Sequence, residues 1–143
     1  MLKIVNYTAQ DEAKVVEFIR KVQADAQPDG EILKRSVLIK DDNDIVGMVS
    51  YVSLDNMGVI RYFLYDARVA GTDITMGMFF ELYKAARTEG VKKIVAQVPC
   101  REVGMLFEML GFSRVTGDLS EFEHLVKKDT EVMLISLEGQ VSE

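Results

Sequence analysis

The spacing of apolar and polar residues changes several times along the chain, and each change marks an element. Leu2-Lys3-Ile4-Val5 is a short apolar run of strand type. Thr8 stands where a helix N-cap belongs, and Asp11 follows at the capping-box distance. From residue 11 to about 26, Val15, Phe18, Ile19 and Val22 recur at helical spacing, with Lys14, Glu17, Arg20 and Lys21 on the other side. That pattern predicts an amphipathic helix, broken by Gln27-Pro28-Asp29-Gly30. Residues 36–40 and 45–52 read as strands flanking Asp41-Asp42-Asn43-Asp44, which makes a hairpin. A second turn, Asp55-Asn56-Met57-Gly58, leads into a third antiparallel strand over residues 59–65.

The second half has a different rhythm. Gly71-Thr72-Asp73 precedes a helix running to Glu89, with Ile74, Met78, Phe79, Leu82, Ala85 and Ala86 on one face and Gly90 as its C-cap glycine. Residues 91–98 form a strand of buried type, holding Ile94, Val95, Ala96 and Val98. A short helix over 101–110 closes at Gly111. A polar loop, roughly 116–130, and a last strand over 131–137 complete the chain. Met76, Met78, Met105 and Met109 fall at helical positions and read as packing. There is no internal repeat and no linker. The expectation is one mixed α/β domain over residues 1–143.

Composition narrows the chemistry. With 17 Lys and Arg against 23 Asp and Glu, the formal net charge is −6, which argues against nonspecific binding to nucleic acid or to an anionic membrane. One cysteine, Cys100, excludes an internal disulfide, and with one histidine, His124, it leaves no Cys/His metal cluster. His124 sits in the polar loop and is expected to face solvent. No apolar run is long enough to cross a bilayer, and the first residues lack a signal-peptide layout. The sequence reads as a cytoplasmic, reduced protein.

Three stretches then resemble one family. Asp44-Ile45-Val46-Gly47-Met48-Val49 carries an apolar-Gly step early in a strand; residues 65–90 form a strand–loop–long-helix unit; Leu106-Phe107-Glu108-Met109-Leu110-Gly111-Phe112 closes the last helix. In this order they resemble the GNAT superfamily of acyl-CoA-dependent N-acetyltransferases, over residues 2 to about 137. The resemblance implies a mixed, mostly antiparallel sheet, splayed at the strands 59–65 and 91–98, with helices on both faces. It implies acetyl-CoA as co-substrate, no metal, and a small-molecule or peptide amine as acceptor. The segment 27–35, with Asp29 and Glu31, falls where the family shapes its acceptor site.

In that family a glycine-rich loop and a helix N-terminus hold the CoA pyrophosphate on backbone N–H groups. By resemblance the cofactor contacts fall on Tyr65, Gly71, Thr72, Asp73, Ile74, Thr75 and Phe107. The loop departs from the family pattern. One alignment places Ala70, Asp73 and Thr75 at the signature positions; a slide by two residues restores Arg68 and Gly71 but still meets Asp73. A carboxylate about 5 Å from a phosphate charge is repelled by about 3 kcal/mol at an effective dielectric of 20. Asp73 or Thr72 more naturally caps the helix itself, accepting from the amides that would otherwise hold phosphate. The family's strand-end Asn falls on Cys100 and its proton-donating Tyr on Phe107, which has no proton to give. Cys100 as acid, Tyr62 as acid or substrate wall, with Tyr51 beside it, and Asp66 as base are therefore the catalytic candidates, each with a plain structural alternative. Alternation sets Arg61, Phe63 and Tyr65 on one face of their strand and Tyr62 and Leu64 on the other. The activity expected is acyl transfer from acetyl-CoA to an amine; the alternative is a noncatalytic GNAT-like binding module whose CoA loop has decayed.

Overall fold

The computed structural model describes residues 1–70, 73–115 and 131–137. Its elements run β1 (Leu2–Asn6), α1 (Glu12–Val22), α2 (Gly30–Leu33), β2 (Ser36–Asp41), β3 (Asp44–Leu54), β4 (Met57–Tyr65), α3 (Ile74–Thr88), β5 (Lys93–Val98), α4 (Arg101–Met109), β6 (Ser113–Arg114) and β7 (Glu131–Ser136). The strands form one seven-stranded sheet in the order β1-β2-β3-β4-β5-β7-β6. Most of the pairing is antiparallel. The exception is β4 with β5, where Met57, Gly58 and Val59 lie parallel to Lys93, Ile94 and Val95. Parallel neighbours need a crossover, and α3 provides it. The mixed α/β sheet expected from the sequence is present, with the expected parallel pair. Its ladder ends at Val59 and Val95, three residues into a nine-residue strand.

The chain forms two compact units, Met1–Val52 with Arg61–Ala85, and Ser53–Ile60 with Ala86–Glu143. In the first, alternation along β4 sorts the helices to opposite faces. Tyr62 and Leu64 pack against the buried cluster of Val15, Phe18 and Ile19 from α1, Leu33 from α2, and Leu38 and Met48 from the strands. Phe63 points the other way and meets Phe79 of α3 edge to face, ring centroids 5.1 Å apart. β1 repeats the division: Val5 packs on the α1 cluster, while Ile4 lies against α3. There the approach is so close that a Cβ at Gly77 would come within 2.6 Å of the Ile4 Cδ1. Each fully buried Val, Ile or Phe in these layers contributes about 1.5–3 kcal/mol.

The second unit has its own core. β5 and β7 pair along their whole length, from Lys93 opposite Ser136 to Val98 opposite Glu131. α4 buries Phe107 against Phe112, ring centroids 4.9 Å apart. Gly90, with φ +92°, ends α3 as the sequence predicts; the Val91 N–H reaches back to the Ala86 carbonyl at 2.9 Å.

Several boundaries differ from the expected ones for local reasons. α1 stops at Val22 rather than near Ala26, because Gln23 leaves helical geometry and the Ala26 N–H turns back onto the Gln23 carbonyl. Val22, expected on the buried stripe, is therefore exposed. The breaker at Pro28-Asp29-Gly30 also starts a helix, since the Asp29 carboxylate accepts from the Glu31 N–H at 2.8 Å and caps α2. β4 begins two residues early because the turn before it is only Asp55 and Asn56, both at positive φ. The stripe of α3 takes in Tyr83 and leaves Ala85 exposed. The pairing strand β6 has no counterpart in the sequence reading. The polar loop 116–130 and His124 lie outside the described residues.

Candidate functional site

The resemblance draws attention to the segment between β4 and α3. β4 ends at Tyr65, whose ring is half exposed and lies 5.6 Å from that of Phe63 on the face that α3 covers. The chain then turns tightly. The Asp66 N–H donates to the Val46 carbonyl at 2.9 Å, and the Val69 N–H returns to the Asp66 carbonyl at 3.1 Å. Val46 is free to accept because β3 carries one extra residue there: Gly47 pairs with Ile39 and Ile45 with Lys40. The Asp66 side chain closes the turn from inside, with Oδ1 accepting from the Arg68 N–H at 2.9 Å. Its Oδ2 accepts from the Arg68 guanidinium at 2.9 and 3.2 Å. Arg68 also reaches Asp44 at 3.4 Å and Asp41 at 3.5 Å, at the tip of the β2–β3 hairpin. Val69 is 1% exposed. The segment entering α3 is thus fixed from Tyr65 through Val69. Gly71 and Thr72 lie outside the described residues.

α3 itself starts without an acidic residue in its first turn. Asp73 precedes it, exposed, with its carbonyl accepting from the Met76 N–H at 3.1 Å. Its carboxylate makes no hydrogen bond among the described residues, so the side-chain cap weighed from the sequence is not formed with them. Ile74 and Thr75 are half-buried in the first turn. A helix start of this kind presents backbone N–H groups and the positive dipole end, a suitable setting for an anion, with Asp73 as the opposed charge.

The catalytic candidates divide between the units. In the first, Tyr62 is half-buried on the α1 side of β4, the face opposite Tyr65, and packs against the α1 cluster. Tyr51, named beside it as a cleft residue, is 2% exposed and alternates onto the other face of the sheet. Asp66 has both carboxylate oxygens engaged by Arg68. In the second unit, Cys100 follows β5 as the N-cap residue of α4, its carbonyl accepting from the Gly104 N–H at 3.1 Å and its side chain exposed. It lines an open cavity of about 620 Å³ with Val98, Pro99, Arg101, Arg114 and Glu131. Arg114 is held there by Glu108 and Glu131, each at 3.2 Å. Phe107, aligned with the family's Tyr, is 2% exposed and occupied in packing with Phe112.

Two features escaped the sequence reading. Arg68 was named only as a signature position of the co-substrate loop; its ion pairs escaped because Asp41 and Asp44 come from a hairpin more than twenty residues earlier. Ser36 and Ser50 face each other across β2 and β3, both buried, and neither hydroxyl has a hydrogen-bond partner among the described residues. Asp29 and Glu31, offered as acceptor-side carboxylates, are in use: Asp29 caps α2, and Glu31 pairs with Lys34 at 3.0 Å. Among the described residues no cluster of His, Cys, Asp and Glu could hold a metal, and no helix is long and apolar enough to cross a membrane.

The sequence matches no protein-family model and no curated protein. Its fold is similar to that of an acetyltransferase of the GNAT family from Staphylococcus aureus Mu50, at TM-score 0.74 and 17% identity, over 96% of this chain and 99% of that one. It is similar to the ribosomal-protein-S18-alanine N-acetyltransferase of Escherichia coli, at TM-score 0.68 and 13% identity, over 96% and 94%. It is also similar to the PaiA N-acetyltransferase of Thermoplasma acidophilum in complex with coenzyme A, at TM-score 0.66 and 12% identity, over 95% and 99%. At these identities the likeness is one of fold, and it runs through nearly the whole of each chain.

Proposed function

We propose that this chain, which has the GNAT acetyltransferase fold, is an N-acyltransferase that moves an acyl group, acetyl first among them, from coenzyme A to an amine. The observation that carries the reading is the β4–α3 unit: a strand whose parallel ladder ends early, a pinned turn, and a fifteen-residue helix with no acidic residue in its first turn. The residues fit the diphosphate of the co-substrate through backbone rather than side-chain charge, since Arg68 is already committed to carboxylates. Gly71 to Thr75 would hold that group, with the Thr75 hydroxyl as a further donor and the backbone of Tyr65 beside the thioester.

The bound co-substrate supplies an activated thioester carbonyl. The acceptor nitrogen bonds to the carbonyl carbon, the C–S bond breaks, the nitrogen gives up one proton and the departing sulfur gains one. The chain's share of this is mostly orientation and hydrogen bonding to the carbonyl oxygen. Cys100, an exposed thiol at the start of α4, is the proposed proton donor to sulfur, and Tyr62 a wall of the acceptor side. Asp66 serves as base only if Arg68 releases one of its oxygens, so an ordered water is the better acceptor of the amine's proton. Phe107, packed on Phe112, has no proton to give. The acceptor is a small-molecule or peptide amine.

The test is binding of acetyl-CoA followed by heat denaturation. Ligand at a hundred times its dissociation constant stabilises the fold by about 2.7 kcal/mol, which raises Tm by several degrees. Gly71→Glu is expected to abolish the shift. Turnover on polyamines, amino acids, aminoglycosides and peptides then identifies the acceptor. No shift at millimolar acetyl-CoA would overturn the enzyme and leave a noncatalytic module.

A further inference from the structure

The turn that carries the chain toward α3 is tied down through its backbone, a buried side chain and a guanidinium. Asp66 is bonded through its N–H to the extra residue of β3, Val69 is buried, and between them Arg68 meets three carboxylates. One of these belongs to the turn itself and two to the β2–β3 hairpin. An Arg side chain has five N–H donors in a fixed plane, so one guanidinium can join these separate backbones in a way a lysine's single ammonium cannot. Surface ion pairs taken singly contribute little, but a planar fork shared among three acceptors fixes geometry. The carboxylates also outnumber the guanidinium, which removes Arg68 as a source of positive charge for a nearby phosphate.

We propose that Arg68 is the positioning residue of the co-substrate loop: clamped by Asp66, Asp41 and Asp44, it fixes the turn that presents the first turn of α3, and it does so without touching the phosphates. The proposal rests on the acyl-CoA reading above. It assigns the work to the fork geometry of the side chain and none to its charge on the ligand. Arg68→Ala therefore loosens the site, and Arg68→Lys, which keeps the charge and loses the fork, fails to restore it.

The experiment measures coenzyme A binding by titration calorimetry on the whole chain, for the wild type, Arg68→Ala and Arg68→Lys, at several salt concentrations. Unacylated coenzyme A needs no turnover. Both variants are expected to bind about tenfold more weakly, with log Kd plotted against log salt running parallel to the wild type. A slope lower by roughly one in Arg68→Ala would mean a lost phosphate contact, and would overturn the proposal. So would full affinity in either variant. Kinetics with acetyl-CoA supply a second readout: KM for acetyl-CoA rises while kcat at saturation stays, whereas a loss of folded enzyme lowers apparent kcat and leaves KM unchanged. If Arg68→Ala does not fold, Asp44→Asn, at an exposed hairpin tip, takes its place. It is expected to weaken binding two- to threefold even though it removes negative charge, and tighter binding would overturn the proposal. Failure of the wild type to bind coenzyme A at all would overturn the acyl-CoA reading itself; wild-type binding with unaffected variants overturns Arg68 alone.

Discussion

The starts of α1 and α3 belong to the same unit and treat their polar groups in opposite ways. Before α1, Asp11 is 6% exposed and fully engaged: one oxygen accepts from the Thr8 N–H at 3.0 Å and the Thr8 hydroxyl at 3.1 Å, the other from Lys40 at 2.7 Å. Before α3, Asp73 is exposed and its carboxylate has no hydrogen bond among the described residues. Burial raises the cost of a charge at Asp11, yet Lys40 and the two Thr8 donors outweigh it and hold the carboxyl below its ordinary range. One helix start is closed by the chain's own side chains. At the other, the Asp73 carboxylate takes no such part among the described residues.

The largest expected effect lies at the closed end. Asp11→Ala strands Lys40 and two Thr8 donors, and a loss of about 2–3 kcal/mol is expected in urea unfolding. The sign of the pH dependence follows from the lowered carboxyl. Its contribution is complete above the unfolded value, near pH 4, and disappears as pH falls through the lower folded value. Acid unfolding of the wild type should therefore be steeper below about pH 4 than that of Asp11→Asn. Parallel acid curves would remove Asp11 from the comparison.

The closed start was legible in the sequence and the open one only partly. Thr8 and Asp11 are three residues apart, so their bonding is local and a spacing rule finds it. The strands other than the two-residue β6 were legible for the same reason, because alternation is a property of neighbours. What the sequence could not give is long-range partnering: Lys40 on Asp11, or Asp41 and Asp44 on Arg68, join elements about 24–29 residues apart. Which face of β4 receives which helix was also open until Tyr62 and Phe63 took opposite sides. Val22 and Ala85 show the limit of helical spacing, since a stripe says which residues share a side but not where the helix stops or how it is rotated on the sheet.

A second contrast lies on the α1 face itself. Asp11 has every partner it needs, whereas the Ser36 and Ser50 hydroxyls face each other buried and, among the described residues, unpartnered. A buried hydroxyl without a bond costs about 1–3 kcal/mol, and Ala removes it with little loss of volume. Ser50→Ala is therefore expected to raise stability by about 1 kcal/mol, read as a higher urea midpoint at unchanged m-value. A loss of that size would show that the hydroxyl is bonded after all.

At the open start the expected effect on binding is of similar size and on stability smaller still. An exposed carboxylate near a phosphate acts through water, where unit charges about 4 Å apart interact by about 1 kcal/mol. Asp73→Asn should then tighten coenzyme A by about fivefold, in contrast to the weakening expected at Arg68, and the gain should shrink as salt rises. Unchanged affinity would place the phosphates away from this helix end.

The smallest effect is the stability of Asp73→Ala without ligand, and it divides the two helix starts most sharply. A capping Asp replaced by Ala costs about 1 kcal/mol, because a backbone N–H loses its acceptor. An uncapped Asp loses only its interaction with the helix dipole, a few tenths of a kcal/mol for an exposed group. Asp73 has no side-chain acceptor role among the described residues, so urea unfolding of Asp73→Ala should fall within about 0.5 kcal/mol of the wild type. Asp11→Ala in the same buffer supplies the scale. A cost near 1 kcal/mol at Asp73 would mean that its carboxylate caps α3 in solution, and the N–H groups assigned to the phosphates would then already be in use.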